Sequence, residues 1–481
     1  MTGPGARGLI DSVVDRGSFE SWDGPIDRTR YDAEYLAELK RAEVKAGTDE
    51  AVLTGRARVR GHAAALVVSE FGFLGGSIGT ATAARITAAI RRATRERLPL
   101  IAAPSSGGTR MQEGTPAFVQ MVEISRAVVA HKAAGLPYLV YLRHPTTGGV
   151  FASWGSLGHV AFAEPGALIG FLGPVVYRTL HGQPFPEGVQ VAENLVDKGI
   201  LDAVVPTEEL AEVAARALAL LSGRSRTRST AVPTSPAPAD PADGDAWSSI
   251  TLTRRPDRPG VRELLRHAAD DVLPLNGSQS GETGDALLLA LTSFSGTPFI
   301  LVGQDRRAQS EQRLLGPAAL RSARRGMRIA QELRLPLVCV IDTPGADLSA
   351  AAEEGALAGE IARCLAEMVE LTVPTVSILL GEGSGGGALA LLPARRVIAA
   401  GNAWLSPLPP EGASAIMHGS AEFAPQMARR QRVRAVDLLA DGTVHAVVPE
   451  RVAAHKDPAG FSRLIAAECV HQIQIQMVTP G

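Results

Sequence analysis

Short apolar runs alternate with amphipathic stretches along most of the chain, and the alternation occurs twice. In the first half AAALVVSE (63–70), LPLIAAP (98–104) and LPYLVYL (136–142) have the length and composition of buried strands. ATAARITAAIRRATRER (81–97) and AFVQMVEISRAVVAHKAAG (117–135) carry apolar residues near helical spacing, and TTGGVFASWGSLG (146–158) is read as the entry to another helix. In the second half LLLALTSF (287–294), PFILVG (298–303), LPLVCVID (335–342) and VPTVSILL (373–380) are strands, while ARRGMRIAQELR (323–334) and GEIARCLAEMVEL (359–371) are helices. Strands alternating with helices predict βαβ units with helices against a sheet, an α/β fold.

The two halves keep register. Leu98-Pro99 is echoed by Leu335-Pro336 at an offset of 237 (335 − 98), and Leu136-Pro137 by Val373-Pro374 at the same offset. KGILDAVVP from Lys198 returns as DGTVHAVVP from Asp441, where the offset has drifted to 243 (442 − 199). Two tandem α/β domains of one kind follow, at 51–221 and 248–481. Residues 1–50 are charged and lightly apolar, and DRTRYDAEYLAELKRAEVKAG (27–47) reads as one surface helix in this N-terminal extension. Residues 222–247 are rich in Pro, Ser and Ala without a periodic apolar face, and read as a disordered or extended linker.

Composition narrows the class. A chain of 481 residues is too long for one core. A formal charge of −2 gives no electrostatic case for nucleic-acid binding. Cys339, Cys364 and Cys469 lie far apart, so neither a disulfide framework nor a zinc site is supported. No apolar run approaches the roughly 20 residues that span a bilayer, and the N-terminus lacks the apolar stretch of a signal peptide. A soluble cytoplasmic enzyme without membrane contact is expected.

Four glycine turns are where chemistry could sit: Gly75-Gly76-Ser77-Ile78-Gly79, Ser106-Gly107-Gly108-Thr109-Arg110, Thr147-Gly148-Gly149-Val150 and GEGSGGGA from Gly381 to Ala388. Glycine after a strand lets backbone and ligand approach without a Cβ clash. A helix start beyond it offers free N–H groups that can hold a phosphate or an oxyanion. Tight packing of helix on strand is the alternative for any one turn, but matching turns in two repeats favour function. Two other patterns carry less. Gly381-x-Gly383-x-x-Gly386 has the dinucleotide form, yet no Asp or Glu lies between Glu382 and Glu411 to hold a ribose. Gly75-x-Ser77-x-Gly79 has the form of a nucleophile elbow, but the late histidine it needs would be His445, which corresponds to Asp202 in the repeat. His144 beside a strand end is read as structural. With no HExxH, no Walker A pattern and no marked nucleophile, a reaction driven by preorganised main-chain N–H groups fits best.

These residues resemble a known family. GFLGGSIG, LPLIAAPSSGGTRMQEG, GLPYLVYLRHPTTGGVFASWGSLGHVAFAEPGALIGFLGP and DKGILDAVVP resemble the β subunit of bacterial acetyl-CoA carboxylase carboxyltransferase. RPDRPGVRELL, RGMRIAQELRLPLVCVIDTPGA, GEIARCLAEMVELTVPTVSILLGEGSGGGALALLPARRV and PPEGASAIM resemble its α subunit. The chain is similar to a β–α fusion, matched over roughly 65–215 and 255–450. The resemblance implies two tandem crotonase-like domains. It implies transfer of a carboxyl group from biotin, carried on a separate protein, to the α-carbon of an acyl thioester such as acetyl-CoA, giving malonyl-CoA. It assigns one oxyanion hole to the amides of Gly148 and Gly149, for the thioester enolate. It assigns a second to Gly386, Gly387 and the adjacent Ala388, for the biotin ureido oxygen. Ser106, Gly107 and Gly108 fall on the coenzyme A side, Gly75, Gly76 and Gly345 are further candidates for substrate binding, and Arg110 becomes a candidate for coenzyme A phosphate. Biotin carboxyl carrier protein and biotin carboxylase are implied as separate partners. A homo-oligomer with active sites between chains is implied as well.

The sequence also departs from the family. The four-cysteine zinc ribbon of the β subunit is absent, so no zinc is expected. Gly303-Gln304-Asp305-Arg306-Arg307 stands where the α subunit has a GHQKG-like stretch, and LSPLPPEG surrounds Pro407 to Gly412. Substrate identity therefore stays open. A biotin-linked decarboxylase of a malonyl-type thioester and a catalytically retired scaffold within a carboxylase complex remain alternatives.

Overall fold

The computed structural model describes residues 4–29, 31–222, 245–310 and 314–478. The chain divides into two compact units, Met1–Leu221 and Ser222–Gly481. The linker expected over 222–247 lies outside the described residues from 223 to 244. Its two ends are helical, Ser222 closing helix Thr207–Ser222 and Ala246 opening helix Ala246–Thr253.

The first unit has nine strands: β1 (Glu20–Ser21), β2 (Val52–Val59), β3 (His62–Ser69), β4 (Leu100–Ala103), β5 (Tyr138–Leu142), β6 (Thr146–Thr147), β7 (Val160–Ala163), β8 (Ile169–Gly170) and β9 (Ala203–Val204). Seven form a sheet in the order β1-β2-β3-β4-β5-β7-β9, and β6 pairs β8 apart from it. The second unit has β10 (Ala269–Leu275), β11 (Leu287–Phe294), β12 (Thr297–Gln304), β13 (Leu337–Thr343), β14 (Thr375–Ser384), β15 (Arg396–Ala400), β16 (Trp404–Ser406) and β17 (Ala446–Val448). Its sheet runs β10-β11-β12-β13-β14-β15-β17, with β16 on the far end of β14.

Each sheet is mixed. The expected parallel βαβ units hold from β3 to β9 and from β12 to β17, but each unit is entered through an antiparallel hairpin. The turns are Arg60-Gly61 and Ser295-Gly296, all four residues with positive φ. That left-handed pair matches the twist of a two-residue hairpin loop.

Helix Thr80–Arg95 shows why the amphipathic stretches fold as they do. Ala83, Ile86, Ile90 and Ala93 are buried at helical spacing against the sheet. The N-terminal extension is more than one surface helix: Ala6–Val13 buries Ala6, Leu9, Ile10 and Val13, and the second helix is confined to Ala33–Ala46. The helix expected after Gly149 does not form. Residues 150–158 make turns and one 3₁₀ turn, Trp154–Ser156, around the buried Trp154.

Candidate active site

In the first unit, the turns after β3, β4 and β5 are stitched together by main-chain bonds. Ser106 N–H donates to Pro145 O at 2.7 Å, Thr147 N–H to Ser106 O at 2.9 Å, and Ile78 N–H to Gly108 O at 2.8 Å. Gly107 N–H donates to Gly75 O at 2.9 Å, and Gly76 N–H to Phe73 O at 2.9 Å. Gly108 N–H donates to the Ser106 hydroxyl at 3.0 Å. Gly75, Gly76, Ser106, Gly107, Gly108, Gly148 and Gly149 therefore come together as one cluster of turns. Gly76 must be glycine, because a Cβ there would lie 2.0 Å from Ser105 O on a backbone with φ +62.

Two assignments need correction. Gly148 N–H donates to Phe171 O at 2.9 Å, as the β6–β8 pairing continues past Thr147, so that amide is already used. The N–H groups of Gly149 and Val150 donate to no described group and are the available pair. Arg110 is not placed to hold a phosphate. Its side chain is fully buried, with Nη2 against Glu50 Oε1 at 2.5 Å and Nη1 3.5 Å from Glu113 Oε1. It also donates to Ser77 O at 2.8 Å and to the Tyr35 hydroxyl at 3.3 Å. Burial alone would lower its pKa, but Glu50 and the Tyr35 hydroxyl outweigh that and raise it. Glu113 is likewise buried, yet donors from Thr80 and Tyr35 and the Arg110 charge hold its carboxyl below the usual range.

A cleft of about 760 Å³ opens beside the same turns, lined by Leu74, Gly75, Ser105 and His144 and by Arg41 and Lys45. Arg41 and Lys45 are exposed one helical turn apart on Ala33–Ala46, facing a cleft that also carries Glu38 and Glu70. Another cleft, of about 780 Å³ along helix Thr80–Arg95, touches none of the candidate glycine turns.

The second unit repeats the backbone of the first at the 237 offset. The bridge Ser106–Thr146 becomes the pair Thr343–Gly383, and Ile78–Thr109 becomes Leu315–Ala346. Gly108 (φ 111) corresponds to Gly345 (φ 150), and Gly148 (φ 65) to Gly385 (φ 60). Gly149 thus corresponds to Gly386, and Val150 to Gly387. Gly386 and Gly387 are the second and third residues of helix Gly385–Leu389, so their amides precede its carbonyl ladder. Ser384, at its N-cap, makes no capping bond, and its hydroxyl is buried without a partner among the described residues. Gly387 packs closely, a Cβ there meeting Ala346 N at 3.2 Å, and Ala388 is buried.

Asp342, unremarked in the sequence, ends the apolar run LPLVCVID. Its Oδ1 accepts Glu382 N–H at 3.1 Å and its Oδ2 lies 3.5 Å from Arg306 Nη1. Burial raises its pKa against the opposing charges of Arg306 and Arg258. Burial also raises that of Glu382, which Arg254 reaches at 2.6 Å. His445 has a scaffold role: its Nδ1 accepts Val397 N–H at 3.0 Å, as the Asp202 carboxylate accepts Ala161 N–H at 2.8 Å in the first unit. Among the described residues no three of His, Cys, Asp and Glu gather as a metal-binding group. No described helix is long and apolar enough to cross a membrane.

The profile of the carboxyl transferase domain matches residues 6–469. The chain belongs to the carboxyl transferase family. It is 56% identical over 470 residues, 97% of this chain and 94% of the relative, to a probable biotin-dependent acyl-coenzyme A carboxylase beta3 subunit of Mycobacterium tuberculosis. It is 38% identical over 482 residues, 96% of this chain and 84% of the relative, to the acetyl-coenzyme A carboxylase carboxyl transferase subunits beta/alpha of Saccharopolyspora erythraea. Among solved structures, transcarboxylase 12S in hexamer assembly shares the α/β fold at a TM-score of 0.78 and 20% identity, over 99% of this chain and 90% of that one. The chain is thus an enzyme of this family, a carboxyltransferase. The sequence pointed to the glycine turns, but Gln304 and Asp342 were not singled out as site residues. The available signal was a lone polar residue closing an apolar strand, as in FILVGQ and LVCVID.

Proposed function

We propose that the chain is the carboxyltransferase component of a biotin-dependent acyl-CoA carboxylase, built from two crotonase-like halves that work through main-chain amides. The carrying observation is the pair of equivalent glycine turns 237 residues apart, in a chain 56% identical to a relative named as such a subunit. Abstracting a proton beside a thioester carbonyl puts charge on that oxygen. Preorganised N–H donors in a water-poor site are the strongest general means of stabilising it. In the first unit that role falls to Gly149 and Val150 N–H, with the Ser106-Gly107-Gly108 turn and Gly75 and Gly76 walling the thioester side. In the second unit it falls to Gly386 and Gly387 N–H beside the unpartnered Ser384 hydroxyl, a donor set that fits an acceptor oxygen such as that of a ureido group. Biotin, on a separate carrier protein, supplies the carboxyl group and a nitrogen to take the α-proton, so no side-chain base is needed. Gly345, Ala388 and Gly385 hold the second turn in shape.

With Arg110 buried, coenzyme A phosphate falls to Arg41 and Lys45 on the wall of the 760 Å³ cleft. Biotin carboxyl carrier protein and biotin carboxylase are separate partners in this reading. Self-association is part of it too, and a monomeric mass in solution would remove that part.

The test is incubation of the purified chain with malonyl-CoA, with and without biocytin, following acetyl-CoA by mass; methylmalonyl-CoA is run in parallel because the acyl group is open. Loss of the carboxyl group that depends on biocytin is expected. Loss without biocytin would favour a decarboxylase. Coenzyme A binding with no turnover of either thioester would favour a retired scaffold.

A further inference from the structure

Gln304 closes β12 at the point where its ladder to β13 has ended, the last registered pair being Gly303–Val340. Its side chain is fully buried, and both ends of its amide are used. Oε1 accepts Asp342 N–H at 3.0 Å and Nε2 donates to Gly387 O at 2.7 Å. Asp342 sits at the irregularity between β13 and β14, where the register jumps from Ile341–Leu379 to Thr343–Gly383, so its N–H has lost its place in a ladder. Gly387 O belongs to a five-residue helix in which Leu391 N–H turns to Ala388 O instead. The two backbone groups left over on either side are joined by one side chain. Gln309 holds the next peptide along, donating from Nε2 to Asp342 O at 3.1 Å and accepting from the Thr343 hydroxyl at 2.6 Å. Gly345 lies within 3.3 Å of where a Gly387 Cβ would be, so the two loops that Gln304 joins are in contact.

We infer that Gln304 is a positioning residue for the biotin-side glycine turn: by holding Gly387 O to the end of β13 it fixes the Gly387–Ala388 peptide, and through the Gly387 Cα that this peptide shares with the preceding one, the aim of the Gly387 N–H. This rests on the carboxyltransferase reading above. Gln304→Glu tests it most directly, because the carboxylate keeps an acceptor for Asp342 N–H but sets a second oxygen against Gly387 O. Gln304→Met removes both bonds without adding charge. Initial rates are measured with malonyl-CoA and biocytin, each varied in turn, beside thermal unfolding. A displaced donor of this kind is expected to lower kcat/KM for biocytin about a hundredfold in the Glu variant. KM for malonyl-CoA should stay within about twofold, because both bonds of Gln304 lie within the second unit, and the unfolding midpoint should stay within a few degrees.

Equal loss on both substrates, unchanged kinetics in both variants, or failure of both to fold would assign Gln304 to structure alone and overturn the proposal. A wild-type chain without biocytin-dependent turnover overturns the carboxyltransferase reading itself. Wild-type turnover that the variants leave intact overturns only the role of Gln304.

Discussion

A basic residue just after a glycine-rich turn is a reasonable place to look for a phosphate ligand, and Arg110 sits just there. Its environment gives it different work. A guanidinium removed from water needs its charge and donors satisfied inside the protein, and Glu50, Glu113, Tyr35 and Ser77 do this completely. In doing so Arg110 ties the N-terminal helix Ala33–Ala46 to the turns at Ser77 and Thr109. Arg110→Met leaves Glu50 as a buried, unpaired carboxylate, and such a loss costs about 3–5 kcal/mol. Urea unfolding should show that loss, with part regained in the double variant Glu50→Gln/Arg110→Met. Coenzyme A affinity of the folded fraction should not change. Weakened coenzyme A binding at wild-type stability would return Arg110 to the phosphate. Sequence alone could place this arginine beside the turn, but not its acidic partner 60 residues away, since that pairing is tertiary.

At the scale of elements, the strands that close on glycine turns were legible because their apolar runs are continuous and buried on both faces. The entry strands β2 and β10 were not. VLTGRARV alternates only toward its end, where Arg56 and Arg58 face solvent. The missing helix after Gly149 has a different cause. Gly148 takes a left-handed conformation and Ser153 and Gly155 N–H both turn back to Val150 O, so the backbone curls before an α-helical ladder can start.

One element pairing responds to pH. His131 on helix Gly114–Ala133 is buried between Thr94 and the strand start at Pro137, with Nδ1 3.0 Å from the Thr94 hydroxyl and Nε2 3.2 Å from Pro137 O. Burial pulls its pKa down to about 4. The unfolded chain binds its proton near the ordinary value of about 6.5. The folded state therefore binds fewer protons between those values, and stability is lost as pH falls through the window. Between pH 7 and 4.5 that loss should amount to roughly 2 kcal/mol in urea unfolding. His131→Gln should lose less over the same range, and equal slopes would remove His131 as the cause.

For the whole molecule, duplication carries the account. Two sheets of the same order, two left-handed hairpin turns and two glycine turns at one offset describe a single backbone plan used twice. The copies have diverged where their proposed chemistry differs. Val150 corresponds to Gly387, and Gln304 joins the loops of the second unit while the serine at the same strand end in the first, Ser69, makes no hydrogen bond to a described group through its buried hydroxyl. The central claim is that main-chain amides, with no side-chain base, carry the reaction. Gly149→Val tests it most directly, because a Cβ at Gly149 meets Met121 at 3.6 Å and Thr109 Oγ1 at 3.8 Å, ordinary van der Waals contacts that the fold should tolerate. Biocytin-dependent release of acetyl-CoA from malonyl-CoA should fall about a hundredfold or more, with coenzyme A affinity and unfolding midpoint near wild type. A Gly149→Val chain that keeps the full wild-type rate would contradict the account.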